Sequence, residues 1–183
     1  MKLLLIVLSV ISSSCGKNLE SAMEFSESFS PRNLFERSSS GSSSNGSTIS
    51  EVGYLNLEEK EMLKLVNDHR KSLGLRVLKV HEEASYQAQK HSGSLLNCSC
   101  LNHNGFSARI AEVRKVDERS IPKSAENVAY ASTTEKVHQG LLGSRGHRKN
   151  IEGAHFTHIG LGQEVSSSGR MYFTQIFLQI NEN

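Results

Sequence analysis

The C-terminal part of the chain constrains the fold most, because it contains two segments whose side chains alternate as they do along a β-strand. The segments cover residues 158–165 and 170–180, and a short run rich in serine and glycine joins them. Apolar side chains occupy both alternating sets of positions in the second segment, for example Ile176 and Phe177. Because a strand with two apolar faces must be covered on both sides, we predict a β-hairpin in a sheet that lies between helices.

Before the hairpin, the spacing of apolar residues predicts helices. The first begins at Asn56, because an N-cap residue followed three positions later by Glu59 forms a capping box, and it ends near Leu73. A second helix is predicted with Ala84, Ala88 and His91 on one face, which is narrow enough for close packing.

The remaining elements are shorter. The complete prediction after the first helix consists of helices over 80–96, around 106–113 and over 133–143, with an extended segment over 126–131. After His147 the sequence predicts only β-structure, which ends in the hairpin.

Residues 1–50 are predicted to lie outside the folded domain. Residues 1–14 have the layout of a signal peptide, and their apolar run is too short to cross a bilayer, which needs about 20 residues. Cys15 follows three serines, an arrangement that resembles the lipobox of bacterial lipoproteins, so we predict that Cys15 is acylated. Cleavage without a lipid stays open. Residues 15–50 are rich in serine and predict a flexible tether, which leaves 51–183 as one domain.

The charge of the chain argues against one class of partner, and the predicted anchor indicates a location. The net charge is +2 and no block of like charge occurs, so nothing in the sequence indicates nucleic-acid binding.

A lipid on Cys15 would hold the chain on a membrane. Because no acidic residue directly follows Cys15, we predict an exported lipoprotein at the outer membrane or on the cell surface of a bacterium.

Two histidines and a glutamate are the candidate functional residues. His103 lies in Leu-Asn-His-Asn-Gly, Glu126 in Ala-Glu-Asn-Val and His147 in Ser-Arg-Gly-His. Two imidazoles and a carboxylate are what a divalent cation or a proton-transferring site requires.

Cys98 and Cys100 are separated by one residue. They predict a local disulfide or a pair of semi-buried thiols, with a redox-sensitive pair and metal ligands as the alternatives.

Six motifs follow one another in a specific order along residues 55–180. They are Asn67-Asp-His-Arg70, His103, Ala125-Glu126-Asn127, Ser144-Arg-Gly-His147-Arg-Lys-Asn-Ile151, Phe156-Thr-His-Ile-Gly160-Leu-Gly162 and Tyr172-Phe-Thr-Gln175-Ile-Phe177. This ordered set resembles the CAP superfamily, named for cysteine-rich secretory proteins, antigen 5 and pathogenesis-related proteins, in its bacterial form. The resemblance implies an α+β fold, an α-β-α sandwich in which helices flank a mainly antiparallel sheet, with a central cleft.

In many members of that superfamily, two histidines and two glutamates line the cleft and can hold a divalent cation. The resemblance assigns His103, Glu126 and His147 to three of these positions, whereas Ser144 stands in place of the second glutamate. It therefore implies a weak site for zinc or another divalent cation. The alternative is a hydrogen-bonded cluster of these side chains that fixes loops over the sheet without a metal ion.

The resemblance favours a binding module over an enzyme. Members of the superfamily include sterol and lipid carriers, so the expected ligand is a lipid, another small molecule or a host protein. One alternative is a hydrolase in which a metal-bound water or a base, Glu126 or His147, drives the reaction and Ser144 is a conceivable nucleophile. The other alternative is a purely structural role in the envelope or in adhesion.

Overall fold

The structure, a computed structural model, describes residues 53–181. Within that range the elements are α1 (Leu57–Ser72), β1 (Lys79–Val80), α2 (Glu82–Cys98), α3 (Phe106–Val116), β2 (Lys123–Ala131), α4 (Thr134–Gly143), α5 (Arg145–Ile151), β3 (His158–Val165) and β4 (Met171–Gln179). None of these helices is long and apolar enough to cross a bilayer. The predicted signal peptide over 1–14, the acylated Cys15 and the tether over 15–50 lie outside the described residues.

The four strands form one mixed sheet in the order β1-β3-β4-β2. β1 pairs with β3 in parallel, and β4 pairs antiparallel with both β3 and β2. β3 and β4 are the predicted hairpin, in which His158 pairs with Leu178 and Val165 with Met171. β2 is an edge strand, and α5 packs next to it. This edge is where the candidate residues meet.

Helices cover both faces of the sheet, as the two apolar faces of β4 predict. On one face, α2 and α3 contribute buried residues that pack against β4, namely Ala84, Ala88, Ile110 and Val113 against Ile176 and Leu178. On the other face, α1, α4 and α5 contribute Met62, Val66, Val137, Leu141 and Ile151, which pack with Phe173 and Phe177. The α+β fold and its α-β-α sandwich are confirmed.

Helix α2 lies directly on β3, because two residues of β3 have no side chain. A Cβ atom on Gly162 would lie 2.1 Å from the backbone nitrogen of Gln89, and one on Gly160 would lie 2.3 Å from the carbonyl carbon of Ala84. Ala84 and Ala88 are fully buried. The close packing predicted for this face of α2 is therefore confirmed, and the glycines of β3 make it possible.

The end of α1 is tied to the loop before β3 by a completely buried arginine. Arg70 donates through Nε to the carbonyl of Arg76 at 2.8 Å and through Nη1 to the carbonyls of Ile151 at 2.7 Å and Gly153 at 3.1 Å. Its Nη2 donates to the carbonyl of Phe156 at 3.3 Å. Four backbone carbonyl groups thus find a partner inside the protein, which holds the loop after α5 in one conformation.

Three elements, α5, β1 and α2, differ from the prediction. Helix α5 continues to Ile151, so the prediction of only β-structure after His147 is wrong. Ile151 is the one buried residue of α5, and the helix therefore lacks the apolar periodicity by which helices are recognised. Strand β1 has two residues and is defined by its pairing with β3, and α2 begins at Glu82 instead of residue 80, because the side chain of His81 caps it.

Candidate functional site

A buried ion pair forms the centre of the site. Glu126 projects from β2 towards α3, and its side chain is 2% exposed. Arg109 of α3 binds both carboxylate oxygens: Nη2 donates to Oε2 at 2.6 Å and to Oε1 at 2.8 Å, and Nε donates to Oε2 at 3.0 Å. Arg109 Nη1 also donates to the carbonyl of Asn104 at 2.7 Å. The guanidinium thus neutralises Glu126 through a two-point contact, the strongest geometry available to this pair.

Two histidines lie against the same carboxylate from the α2 side. Nδ1 of His103 lies 2.9 Å from Oε1 of Glu126, and the His103 side chain is 52% exposed. Nε2 of His91 donates to the carbonyl of Asn102 at 2.9 Å and lies 3.8 Å from the same Oε1. Burial lowers the pKa of His91, so this imidazole is neutral at neutral pH, with its Nε2 proton fixed by the carbonyl acceptor.

His147 approaches from α5, across the edge of the sheet. Asn127 Nδ2 donates to the backbone carbonyl of His147 at 3.1 Å, and Asn150 Nδ2 donates to Asn127 Oδ1 at 2.9 Å. Burial lowers the pKa of His147, and the neighbouring His103 lowers it further. Within the described residues, the His147 ring makes no hydrogen bond to His103 or Glu126. The two neighbouring residues of β2 therefore contact different helices. Glu126 binds Arg109 of α3, and Asn127 binds the backbone of α5.

Ser144 lies between α4 and α5, and its geometry gives no indication of a nucleophile. Its side chain makes no capping hydrogen bond, although its carbonyl accepts from the amide of Arg148 at 2.8 Å. In the part of the chain that the structure describes, no histidine or carboxylate is hydrogen-bonded to the Ser144 hydroxyl. An activated serine needs such a base within hydrogen-bond reach.

The two cysteines form a disulfide at the end of α2. Cys98 and Cys100 have Cα atoms 5.2 Å apart, and Asn102 Nδ2 donates to Cys100 Sγ at 3.1 Å. Ser99 between them adopts a left-handed conformation with φ of 50°. The bridge closes the turn that leads into His103, and sulfur atoms bound to each other are not available as thiolate metal ligands.

The residues as they are placed do not fit a divalent cation. Across residues 53–181, no group of three or more His, Cys, Asp or Glu side chains is arranged so that it could hold a metal ion. The physical reason is that Arg109 occupies both oxygens of Glu126, and Ser144 contributes no carboxylate. The zinc or other divalent-cation site at His103, Glu126 and His147 remains a prediction of the resemblance.

Two residues of the site, Arg109 and His91, are absent from the sequence-based prediction of functional residues. The signal for Arg109 is its position beside Ile110, on the buried face of α3. A charged residue within an apolar stripe needs a buried partner. His91 lies on the buried side of α2 with Ala88. It gives no such signal, because a histidine on a core-facing stripe is commonly satisfied by a backbone group, as here.

The family of this chain is identified by comparison with known proteins. Residues 63–177 match the family model described as CAP, the cysteine-rich secretory protein family. The chain belongs to this family.

Individual relatives agree with the assignment. The chain is 31% identical over 133 residues to the uncharacterized protein YkwD of Bacillus subtilis, which amounts to 72% of this chain and 51% of YkwD. It thus spans about half the length of that relative. Among solved structures, it resembles an outer surface protein from Borrelia burgdorferi, with a TM-score of 0.60, 18% identity, and coverage of 68% of this chain and 93% of that one. It also resembles an extracellular protein with an SCP domain from Bacillus anthracis, with a TM-score of 0.56, 24% identity, and coverage of 67% and 40%. These structures share the fold.

Proposed function

We propose that the chain is an exported binding module whose cleft works without a metal ion, because Arg109 supplies the positive charge at Glu126. The observation that carries this proposal is the buried two-point contact between the Arg109 guanidinium and both Glu126 oxygens. A carboxylate that is almost fully buried costs several kcal/mol unless a cation or several donors pair with it. A guanidinium stays charged at every physiological pH and matches a carboxylate in shape, so the site needs no further cation.

The exposed side chains of the site indicate the kind of contact that a ligand would make. His103 is half exposed and His147 is partly exposed, and both lie at the edge of β2. Because its pKa is lowered by burial, His147 is a neutral imidazole at neutral pH, with one donor and one acceptor. Such a group is suited to a hydroxyl or amide of a ligand. We therefore propose an uncharged polar or amphipathic ligand for the cleft, such as a sterol, another lipid or a glycan.

A location outside the cytoplasm fits this role. Two of the structural neighbours are named an outer surface protein and an extracellular protein, and residues 1–14 predict a signal peptide. We propose that Cys15 carries a lipid that holds the module on a membrane surface. Residues 15–50 would then supply reach, since a flexible chain of about 35 residues spans roughly 30 to 35 Å.

Removing both imidazoles tests the binding proposal. We expect the full chain, in the presence of a chelator, to retain at least one class of ligand on an array of envelope lipids and glycans. His103→Ala/His147→Ala should reduce that retention by about tenfold or more, since these rings are the exposed polar groups of the cleft. His69→Ala, which removes an imidazole on α1, is the matched control and should retain the ligand. Retention that the chelator abolishes, or that the double variant keeps in full, contradicts the proposal.

A further inference from the structure

A groove with a basic lining lies where the start of β2 faces the end of α5 and the loop before β3, apart from the hydrogen-bonded side chains of Glu126 and Arg109. Its volume is about 460 Å³. We define this basic groove by Lys123 and Ser124 from β2, Lys149 from α5, and His155 and Phe156 from the loop. Two separate segments of the sequence, 123–124 and 149–156, supply these side chains, which is why no block of charge is visible in the sequence.

The positive charge of the basic groove is not balanced by neighbouring acids. Among the described residues that line it, none is Asp or Glu. Lys123 and Lys149 are exposed, and neither forms an ion pair with a carboxylate of residues 53–181. The pKa of His155 is lowered by burial first and then by the positive charges of Lys123 and Arg70. An anion entering the basic groove would therefore meet an attractive potential.

The floor of the basic groove is aromatic. Phe156 is 4% exposed and presents the remaining part of its ring to the groove. The rings of His155 and Phe156 have centroids 4.2 Å apart, and Phe156 is supported from below by Phe177 at 5.6 Å. A flat apolar surface beside unpaired ammonium groups is the arrangement that recognises a ligand with an anionic end and an apolar body.

The walls of the basic groove are fixed before any ligand binds. The loop that carries His155 and Phe156 is held by Arg70, which donates to the carbonyls of Gly153 and Phe156. The wall from α5 is held by Asn150, whose side chain donates to Asn127 of β2. A preformed site loses less conformational entropy on binding than a mobile one.

We infer that the basic groove binds an organic phosphate. The phosphate lies between Lys123 and Lys149, and the apolar part of the ligand rests on His155 and Phe156. Two ammonium groups match the charge of a phosphate monoester better than that of a single carboxylate, and lysine binds phosphate as a point charge. The basic groove is distinct from the site at Glu126, because none of its five defining residues is hydrogen-bonded to the Glu126 carboxylate.

Calorimetric titration of the full chain with phenyl phosphate tests this inference. We expect saturable binding at one site, and we expect Lys123→Ala/Lys149→Ala to weaken it by about tenfold or more. Lys60→Ala/Lys136→Ala removes the same charge elsewhere and should leave the affinity unchanged. Raising the salt concentration should weaken binding, since the lysines are exposed. Inorganic phosphate should bind more weakly than phenyl phosphate, because it does not contact the aromatic floor.

Three results overturn the inference. The first is no saturable binding up to roughly 10 mM phenyl phosphate. The second is an equal loss of affinity in both double variants, which would mean general charge attraction. The third is that inorganic phosphate or benzyl alcohol binds as tightly as phenyl phosphate. Either result would show that the groove does not require a ligand with both a phosphate and an apolar part. His103→Ala/His147→Ala should not affect this titration, so failure here is distinguishable from failure of the proposed cleft function.

Discussion

Arg109→Ala is expected to lower the free energy of unfolding by about 3–5 kcal/mol. The change leaves the buried carboxylate of Glu126 without its cation, and His103 provides only a single contact at 2.9 Å. It also removes the partner of the Asn104 carbonyl. Denaturant unfolding at neutral pH, followed by circular dichroism, measures the loss.

Two control variants distinguish the loss of the buried ion pair from the loss of a positive charge on α3. Lys115→Ala removes an exposed cation on the same helix and should change stability by less than about 0.5 kcal/mol. Arg109→Met/Glu126→Leu removes both partners and should recover much of the stability, because no charge is left buried. If Arg109→Ala costs less than about 1 kcal/mol, the buried pair does not organise the site.

Gly162→Ala is the second change with a large expected effect, about 3 kcal/mol or more. The added methyl group would lie 2.1 Å from the nitrogen of Gln89 and 2.2 Å from the carbonyl carbon of Ala88. Both are backbone atoms of α2, so they cannot move aside without lifting the helix from the sheet. Thermal and denaturant unfolding measure the effect, and a failure to fold is the extreme form of the same result.

Gly93→Ala is the matched control within α2. Nothing lies within 4 Å of a Cβ atom at this position, which is inside the helix. Alanine is the better helix former, so we expect no loss and a gain of up to about 1 kcal/mol. A Gly162→Ala variant as stable as the native chain would show that α2 does not lie as close to β3 as the structure has it.

The parts of the fold that the sequence predicts are those that a local pattern determines. The alternation of apolar residues over 170–180 specifies a strand with two covered faces, and the capping box from Asn56 to Glu59 specifies where α1 begins. Both hydrogen bonds of that box are present, at 2.8 and 2.9 Å. These signals depend on residues that are neighbours in the chain, which is why the layered architecture is predictable.

The parts that the sequence does not predict depend on partners distant in the chain. Helix α5 buries little and is held by contacts from β2, including Asn127 to the carbonyl of His147. In the sequence, Arg70 is an ordinary basic residue in the last turn of α1, yet the structure buries it completely. The pairing of Arg109 with Glu126 spans 17 residues, and the resemblance alone assigns Glu126 to a metal ion instead.

This difference at Glu126 determines how the chain should be compared with its family. Both oxygens of the Glu126 carboxylate already accept from a guanidinium, so the second glutamate that the resemblance implies in place of Ser144 is a poor guide to this site. The fold of the family is shared, whereas the chemistry of the site depends on these few side chains.

Calorimetric titration of zinc into the metal-stripped full chain tests the central claim most directly. We predict no saturable binding that depends on the cleft, because Arg109 already neutralises Glu126, and His103→Ala/His147→Ala should therefore give the same heats as the native chain. Saturable binding at one site that the histidine variant abolishes and Cys98→Ser/Cys100→Ser retains would contradict this claim.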